Sequence, residues 1–404
     1  MTRSLIYSTI SNASAGLMLL LAAIAGRLLG LADYGVFIYA IGVSTIAEAF
    51  MDLGLHQITI RSIVRDPEHA GKLFYTSLAL KALPGLLTTL AFSLGVFFLR
   101  PESDVRWACV LMLGSAVMRS YLLTARGILL GLEQFGHDAF IVTLDRAVLV
   151  LACGVALFKG ASVVQVSLVF LVARTATTCV ALASTRAEVG RAGVDRDLLS
   201  SLPAEALPVG AFLLTLVVYN RVDTVMLGSL KGNVDTGLYG MAYQLYEGAT
   251  YGAAVISSVL TPRLSRLWAT DRVAYGQLAR RSALASTGLA LLVTAVAWPL
   301  VGVGLRLVYG GDSGAASSPA RILLVGLPFI YLIWMLHAVA LSAFRTQALL
   351  KITIVATVVN VGLNFALIPR YAYHGAAAAT VLSELFVMVV LGYTLRGPIF
   401  GEHQ

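Results

Sequence analysis

Polar and charged side chains lie in the middle of apolar segments that are otherwise long enough to cross a bilayer. The segment Leu213–Leu230 carries Asn220, Arg221 and Asp223 near its centre. A charge at that depth costs at least ~2.5–3.5 kcal/mol, so such residues normally face a protein interior or a water-filled path. Arg221 and Asp223 are two residues apart and point to different sides of a helix, so each needs a partner elsewhere or a ligand. Two interpretations remain open: static ion pairs inside a helix bundle, or a substrate path lined by Arg221.

Two further arginines, Arg119 and Arg174, fall near the middle of other apolar segments. Guanidinium is always charged, and its planar fork binds phosphate oxygens bidentately. A cavity lined by Arg119, Arg174 and Arg221 would hold a phosphate or pyrophosphate, with Asn220 and Asp223 orienting Arg221 or a bound sugar. The alternative is that acids of other segments neutralise the arginines; the candidates are Glu48, Asp52, Asp223, Glu247 and Glu384.

Glu48 and Asp52 are four residues apart and therefore share one face of their predicted helix. Two carboxylates on one face repel each other unless a proton, a cation or a basic side chain intervenes. The pair predicts either a site for H⁺ or Na⁺ coupling or an ion pair with Arg61 or Arg126. Lys81, in the inner third of its segment, is expected to extend its ammonium group to the cytoplasmic surface.

The composition is that of an integral membrane protein. Hydrophobic residues make up 58% of the 404 residues and charged residues only 12%, whereas a soluble chain has about 25% charged residues. The net charge of +8 fits basic cytoplasmic loops better than nucleic-acid binding, because no basic tail or aromatic platform accompanies it. No phosphate-binding loop, metal-ligand cluster or nucleophile motif is present, so neither ATP hydrolysis, a cofactor nor enzyme activity is predicted.

The hydrophobic segments predict twelve transmembrane helices, because each span needs roughly 20 mostly apolar residues. They form an N-terminal lobe over 1–184 and a C-terminal lobe over 207–404, joined by a polar cytoplasmic linker over 185–206. The predicted spans are 6–29, 35–56, 74–99, 107–130, 139–158, 161–184, 207–229, 238–262, 283–308, 320–344, 349–369 and 373–395. The basic segment Pro262–Arg281 predicts either a short amphipathic helix at the lipid headgroups or a solvated connector.

Lysine and arginine placement predicts the orientation. With the N-terminus inside, about 16 basic residues lie on the cytoplasmic side and about 8 on the other, so both termini are expected in the cytoplasm. The halves also echo each other: Asp33-Tyr34-Gly35 and Asp235-Thr236-Gly237 follow similar Leu-Gly pairs. Six helices per half predict a repeat related by an axis along the membrane normal, with a site at mid-depth.

Several of these segments, in order along nearly the whole chain, resemble the polysaccharide-biosynthesis flippases of the multidrug/oligosaccharidyl-lipid/polysaccharide exporter superfamily. The segments that carry the resemblance are Leu29–Tyr39, Asp52–Leu55, Gly131–Phe135, Arg221–Asp223, Gly237–Tyr239, Pro262–Ser265, Asn360–Arg370, Gly375–Ala379 and Ser383–Leu385. The resemblance implies an all-α, V-shaped bundle of two six-helix lobes. It also implies a bacterial inner-membrane protein that flips undecaprenyl-pyrophosphate-linked oligosaccharides by alternating access, for O-antigen, capsule or exopolysaccharide synthesis.

The partners expected from this resemblance are the polyprenyl-pyrophosphate-linked glycan, membrane lipids and other membrane proteins of polysaccharide assembly. A cation-coupled drug exporter of the same superfamily is one alternative, although mid-depth arginines are poorly suited to cationic substrates. A membrane-embedded polymerase or glycosyltransferase is another, but it would need a large catalytic loop, and the longest predicted connection is the linker. A non-transporting scaffold is the third alternative.

Overall fold

The computed structural model describes Tyr7 and residues 14–396. The described residues form twelve α-helices and two short 3₁₀ helices, and no strand. The α-helices are α1 Ala15–Leu28, α2 Leu31–Asp52, α3 Leu55–Arg65, α4 Ala70–Leu99, α5 Ser103–Gly131, α6 Phe135–Phe158, α7 Val163–Val189, α8 Arg196–Lys231, α9 Asn233–Thr270, α10 Arg272–Tyr309, α11 Ser317–Ser342 and α12 Thr346–Thr394. The 3₁₀ helices are Pro67–His69 and Gly311–Ala316. The start of the predicted first span and both predicted cytoplasmic termini lie outside the described residues.

Nine helices in the described part of the chain are long and apolar enough to cross a membrane. The prediction of an all-α, multi-pass membrane protein is therefore confirmed. The number differs from the twelve predicted spans for identifiable reasons. Only 14 residues of α1 are described, α9 lacks a sufficiently apolar window, and the last two predicted spans join in α12.

The break between those last two spans is visible inside α12. Ala372 has φ +50° and ψ −130°, which is not helical. A φ in that range is unfavourable for a residue with a side chain. Close packing accompanies the break, since a Cβ atom on Gly375 would lie 2.4 Å from the Leu367 carbonyl oxygen. The chain therefore turns here as the sequence predicts, within one to three residues of the expected boundaries.

Three local features of the structure add to or differ from what the sequence indicates. Much of the predicted linker over 185–206 is helical, because α7 continues to Val189 and α8 begins at Arg196. The segment Pro262–Arg281 is not a separate amphipathic helix, since α9 and α10 extend towards each other and meet at Asp271, which caps α10 through Ala274 N–H. The short helix α3 was not predicted; it buries Leu55, Ile58 and Ile63 on one side.

The chain divides into two compact units, Met1–Arg221 and Val222–Gln404, here called the N-terminal and C-terminal units. In the N-terminal unit, α5 is central and packs against α2, α3, α4, α6 and α7. In the C-terminal unit, α11 is central and packs against α9, α10 and α12. The unit boundary falls inside α8, whereas the lobe boundaries expected from the sequence lie at 184 and 207 and stay a prediction.

Candidate functional site

Arg119, the first of the predicted anion-binding arginines, lies near the middle of α5 and pairs with Glu48 of α2. Its Nε donates to Glu48 Oε1 at 2.9 Å. The Arg119 side chain is 40% exposed, and that of Glu48 is 16% exposed. A half-exposed guanidinium in the middle of a 29-residue membrane helix faces water or a ligand rather than lipid, because lipid exposure of a charge is too costly.

Asp52, one helical turn beyond Glu48, pairs with Lys81 of α4 instead of Arg61 or Arg126. Lys81 Nζ lies 2.6 Å from Asp52 Oδ1 and also donates to the Ser120 carbonyl at 2.8 Å. Only 2% of Lys81 is exposed, so the expected extension to the cytoplasmic surface is wrong. The reason is depth: α4 begins at Ala70, which places Lys81 eleven residues, or about 16 Å, along the helix.

Arg126, the other expected partner, binds elsewhere. Its Nε and Nη2 atoms donate to Asp138 Oδ1 and Oδ2 at 2.7 and 3.1 Å. This bidentate geometry joins α5 to α6. The same-face carboxylates of α2 are thus neutralised by Arg119, a pairing that the sequence left open as the alternative to anion binding, and by Lys81, which the sequence did not predict as a partner.

Arg174, the second predicted arginine, is buried in α7 and forms an ion pair with Asp145 of α6. Thr177 donates to the other oxygen of Asp145 at 2.7 Å. The guanidinium lies over the Phe170 ring, 5.4 Å from its centre, and its Nε has no hydrogen-bond partner among the described residues. The Arg174 guanidinium is therefore buried below the protein surface and is not exposed on it.

These pairs form one electrostatic cluster inside the N-terminal unit. Arg174 interacts with the charges of Arg119, Glu48 and Arg146 as well as with Asp145. Arg146, in turn, donates to Ser14. Arginines of three neighbouring helices, α5, α6 and α7, interact electrostatically in this cluster, an arrangement that suits an anion.

Residues 220–223, the predicted centre of the site, differ in how far they are exposed to solvent. Asn220 is exposed and donates to the Leu216 carbonyl at 2.8 Å, and Arg221 is half-buried. Asp223 is buried and accepts from Tyr239 and from Thr380, the latter at 3.3 Å. The Asp223 carboxylate thus joins α8 to α9 and α12 within the C-terminal unit.

Two more polar groups of the C-terminal unit were not singled out as site residues by sequence reasoning. Asn360 and Asn364 are buried one turn apart in α12, and Asn360 donates to Ser383 at 3.1 Å. Glu384 is buried and accepts a hydrogen bond from Tyr246 at 2.6 Å. The available signal was the spacing of polar residues by four within apolar α12, which marks one buried helix face.

The family assignment follows from comparison with known proteins. The model of the family described as polysaccharide biosynthesis protein matches residues 1–268, and the MatE model matches residues 208–366. The chain therefore belongs to the polysaccharide biosynthesis protein family, which confirms the resemblance noted in the sequence. Among curated relatives, the probable flippase AglR of Haloferax volcanii is 27% identical over 169 residues. That match covers 41% of this chain and only 35% of the relative.

Solved structures establish the fold over nearly the whole chain. The lipid II flippase MurJ, in an inward closed conformation, superposes with a TM-score of 0.78 at 12% identity, covering 97% of this chain and 87% of that one. An inward-facing multidrug resistance MATE family transporter of the MOP superfamily also gives 0.78, at 17% identity and 98% coverage of both chains. The protein thus has the fold of the multidrug/oligosaccharidyl-lipid/polysaccharide exporter superfamily.

Proposed function

We propose that the protein is a flippase that moves undecaprenyl-pyrophosphate-linked oligosaccharides across the bacterial inner membrane for surface polysaccharide synthesis. Membership of the polysaccharide biosynthesis protein family supports the class of activity, as does the flippase relative. The observation that carries the proposal is Arg119, a half-exposed arginine at mid-helix that shares an electrostatic cluster with two further arginines. A pyrophosphate headgroup is the part of such a substrate that most needs a buried cation on its way through the bilayer.

The proposed binding step is an exchange of partners. Arg119 holds Glu48 when no substrate is bound, and it releases Glu48 and binds the pyrophosphate oxygens when substrate arrives. Protonation of Glu48 would favour this exchange, because a neutral carboxyl competes less well for the guanidinium. H⁺ coupling at Glu48 is therefore part of the proposal. Asp52, with Lys81 as its close partner, is assigned a supporting role.

The remaining predicted site residues receive different roles. Arg174 acts from behind Arg119, since its guanidinium is buried against Asp145, and raises the positive potential without touching the substrate. Arg221 is proposed to bind the headgroup directly, with the exposed Asn220 beside it contacting sugar hydroxyls. Asp223 is proposed to fix the position of α8, through Tyr239, rather than to contact the glycan.

A drug exporter is the second candidate, because the MatE model matches residues 208–366 and a multidrug transporter has the same fold. Its cationic substrates would be repelled by the Arg119 cluster. A polysaccharide polymerase has less support: the longest segment outside a helix within residues 14–396 is the short connection 190–195, which offers no room for a catalytic domain. Binding of a lipid-linked pyrophosphoryl glycan and of a cationic dye to the purified protein distinguishes flippase from drug exporter.

The decisive test is glycan export in cells that lack the chromosomal copy of the gene, with membrane abundance measured for every variant. Arg119→Ala should reduce export at least about tenfold at normal abundance, because a charge-assisted hydrogen bond contributes roughly 1.5–3 kcal/mol. Arg119→Lys should be nearly as defective, since lysine lacks the planar fork. Arg221→Ala and Arg221→Lys are expected to behave alike. Arg186→Ala, at an exposed position near the end of α7, is the matched control and should export normally.

A merely structural Arg119 would give a different pattern. The single variant would then accumulate poorly, because it leaves Glu48 without its cation, and Arg119→Ala with Glu48→Gln would restore both abundance and export. Normal export by Arg119→Ala at normal abundance would remove this residue from the substrate path.

A further inference from the structure

Glu384 is a buried carboxyl group that the proposed mechanism does not use. It lies within the second part of α12 and is only 4% exposed. Its Oε1 accepts a hydrogen bond from the Tyr246 hydroxyl at 2.6 Å. Its Oε2 has no hydrogen-bond partner among the described residues. Half of the carboxyl group is thus buried without a polar contact.

Among the residues that the structure describes, no cation forms an ion pair with Glu384. No ion pair in the described part of the chain includes Glu384, and Arg321, the arginine of α11, does not pair with it. The facing residue of α11 is Gly326, and the titratable group facing it from α9 is Tyr246. An ionised carboxylate in such a place costs several kcal/mol, so a buried acid without a cation takes up a proton.

The space around Oε2 admits a proton but not a metal ion. A Cβ atom on Gly326 would lie 2.4 Å from Oε2 and 3.2 Å from the Val381 Cγ2 atom. The carboxyl is therefore packed directly against the α11 backbone. A hard cation would need several oxygen ligands, whereas the Tyr246 hydroxyl is the one hydrogen-bonding partner of this carboxyl group within the described part of the chain. A side chain at position 326 would displace the carboxyl group from this place.

Helix α11 is weakest at the same place. Pro328, two residues beyond Gly326, has no N–H, so it leaves the Leu324 carbonyl without its usual helical donor. Thr294 of α10 donates to that carbonyl at 3.2 Å instead. Glycine and proline so close together make this turn of α11 the easiest to bend.

We propose that Glu384 is a proton-binding site of the C-terminal unit, and that loss of its proton bends α11 at Gly326–Pro328. The carboxylic acid fits the packed arrangement. The carboxylate requires water, which can reach it only if α11 moves away from α12. The inference that this bending is a step of transport rests on the proposed flippase function; the proton site itself does not.

Infrared spectroscopy of the full-length protein in lipid tests the proton site directly. At neutral pH we expect a carboxylic-acid carbonyl band that disappears in Glu384→Gln and remains in Glu205→Gln, a control at an exposed glutamate. Absence of any band that depends on Glu384 would overturn the proposal. If the Gln variant does not accumulate, Tyr246→Phe replaces it. Removing the hydroxyl that donates to Glu384 should change the frequency of the carboxylic-acid band. An unchanged frequency would also overturn the proposal.

Hydrogen exchange of the α11 amides tests the bending. Around residues 324–328, wild type should exchange at least about tenfold faster than Glu384→Gln at alkaline pH, whereas the two should agree at acidic pH. Comparison at the same pH removes the intrinsic pH dependence of exchange. Equal rates at both pH values would show that ionisation does not open this turn.

Glycan export separates this inference from the proposed function. Glu384→Gln, which is permanently neutral, should lose export at least about tenfold at normal abundance. Normal export by this variant would exclude proton release from the transport cycle. If wild type exports no glycan at all, the flippase proposal fails, and the infrared and exchange results still decide whether Glu384 binds the proton.

Discussion

At the scale of single residues, the buried ion pair of Lys81 with Asp52 is expected to stabilise the N-terminal unit. Both side chains are largely buried, and Lys81 adds a hydrogen bond to the Ser120 carbonyl. Removing one member of a buried pair typically costs 3–5 kcal/mol, because the other charge is left uncompensated, while replacing both costs much less. The pair joins α2, α4 and α5 at one point.

We therefore expect Lys81→Met to lower the free energy of unfolding by about 3–5 kcal/mol, with part of the loss recovered by adding Asp52→Asn. Thermal unfolding of the purified variants, analysed as a double-mutant cycle, measures both effects. Lys72→Met, which removes a lysine from an exposed pair with Asp195, serves as the control and should change little. A double variant no more stable than Lys81→Met would contradict a specific pair.

His56 makes a pH-dependent contribution to stability and lies in α3, which is not one of the helices long and apolar enough to cross a membrane. Burial lowers the pKa of its imidazole, although the nearby Asp52 carboxylate opposes the shift. Its Nδ1 lies 2.7 Å from the Leu123 carbonyl oxygen. The unfolded chain binds a proton near pH 6.5 and the folded chain only at lower pH, so stability is present above that value and is lost as the pH falls.

The expected result is a drop in melting temperature between about pH 7 and pH 5 that is smaller in His56→Gln than in wild type. His69→Gln, at an exposed histidine beside Asp66, should leave the profile unchanged. Identical acid sensitivity in wild type and His56→Gln would mean that other groups cause the loss.

At this scale the sequence indicated which charged residues lie deep in the membrane, but it did not single out their ion-pair partners. The cost of burying charge identified Arg119, Arg174 and Asp223 as residues that need partners. The partners themselves are 71 residues away for Arg119 and 29 for Lys81, and such pairings depend on which helix faces are in contact. Periodicity within one helix does not determine that.

At the scale of elements, the turn Leu53–Gly54 between α2 and α3, here called the elbow, is held in position by close packing against Gly210 of α8. Leu53 and Gly54 both have positive φ, +40° and +82°, and the elbow packs against Gly210. A Cβ atom on Gly210 would lie 2.2 Å from the Leu53 carbonyl carbon and oxygen. The elbow directly follows Asp52, so this contact also fixes the position of the carboxylate that binds Lys81.

Gly210→Ala should therefore destabilise the protein by about 1–3 kcal/mol, the usual cost of overpacking. The matched control is Gly288→Ala in α10, where a Cβ atom meets nothing within 4 Å and helix propensity predicts a gain of up to about 1 kcal/mol. The melting temperatures of the two variants should move in opposite directions. A neutral Gly210→Ala would show that the elbow can shift without cost.

Hydrophobic segments predicted the existence and order of the elements well, because each apolar run must be a membrane helix. They did not predict the elbow or α3, since Gly54 is a single turn residue within an apolar run and the other positive-φ residue, Leu53, gives no turn signal. The extended ends of α8, α9 and α10 were also missed. These ends are polar and helical, and hydrophobicity measures only the part of a helix that crosses the lipid.

At the scale of the whole molecule, the two units use corresponding helices as their centres. The N-terminal unit is organised around α5, the fourth predicted span, and the C-terminal unit around α11, the fourth predicted span of its half. This correspondence fits a repeat of six helices in each half; the axis along the membrane normal that would relate the halves stays a prediction. Superposition of an experimental structure of residues 1–184 on 207–395, six helices on six, would test it.

The orientation in the membrane gives the last prediction. Basic residues favour the cytoplasm, and three predicted spans, within α8, α9 and α10, separate the connection 190–195 from the 3₁₀ helix Gly311–Ala316. Gly193 and Gly311 are exposed, with open space around each, so both tolerate cysteine. In a variant without the three native cysteines, a membrane-impermeant maleimide should label Gly311→Cys in intact spheroplasts. Gly193→Cys should react only after permeabilisation. The reverse pattern would invert the orientation, whereas labelling of both from one side would contradict the number of spans between them.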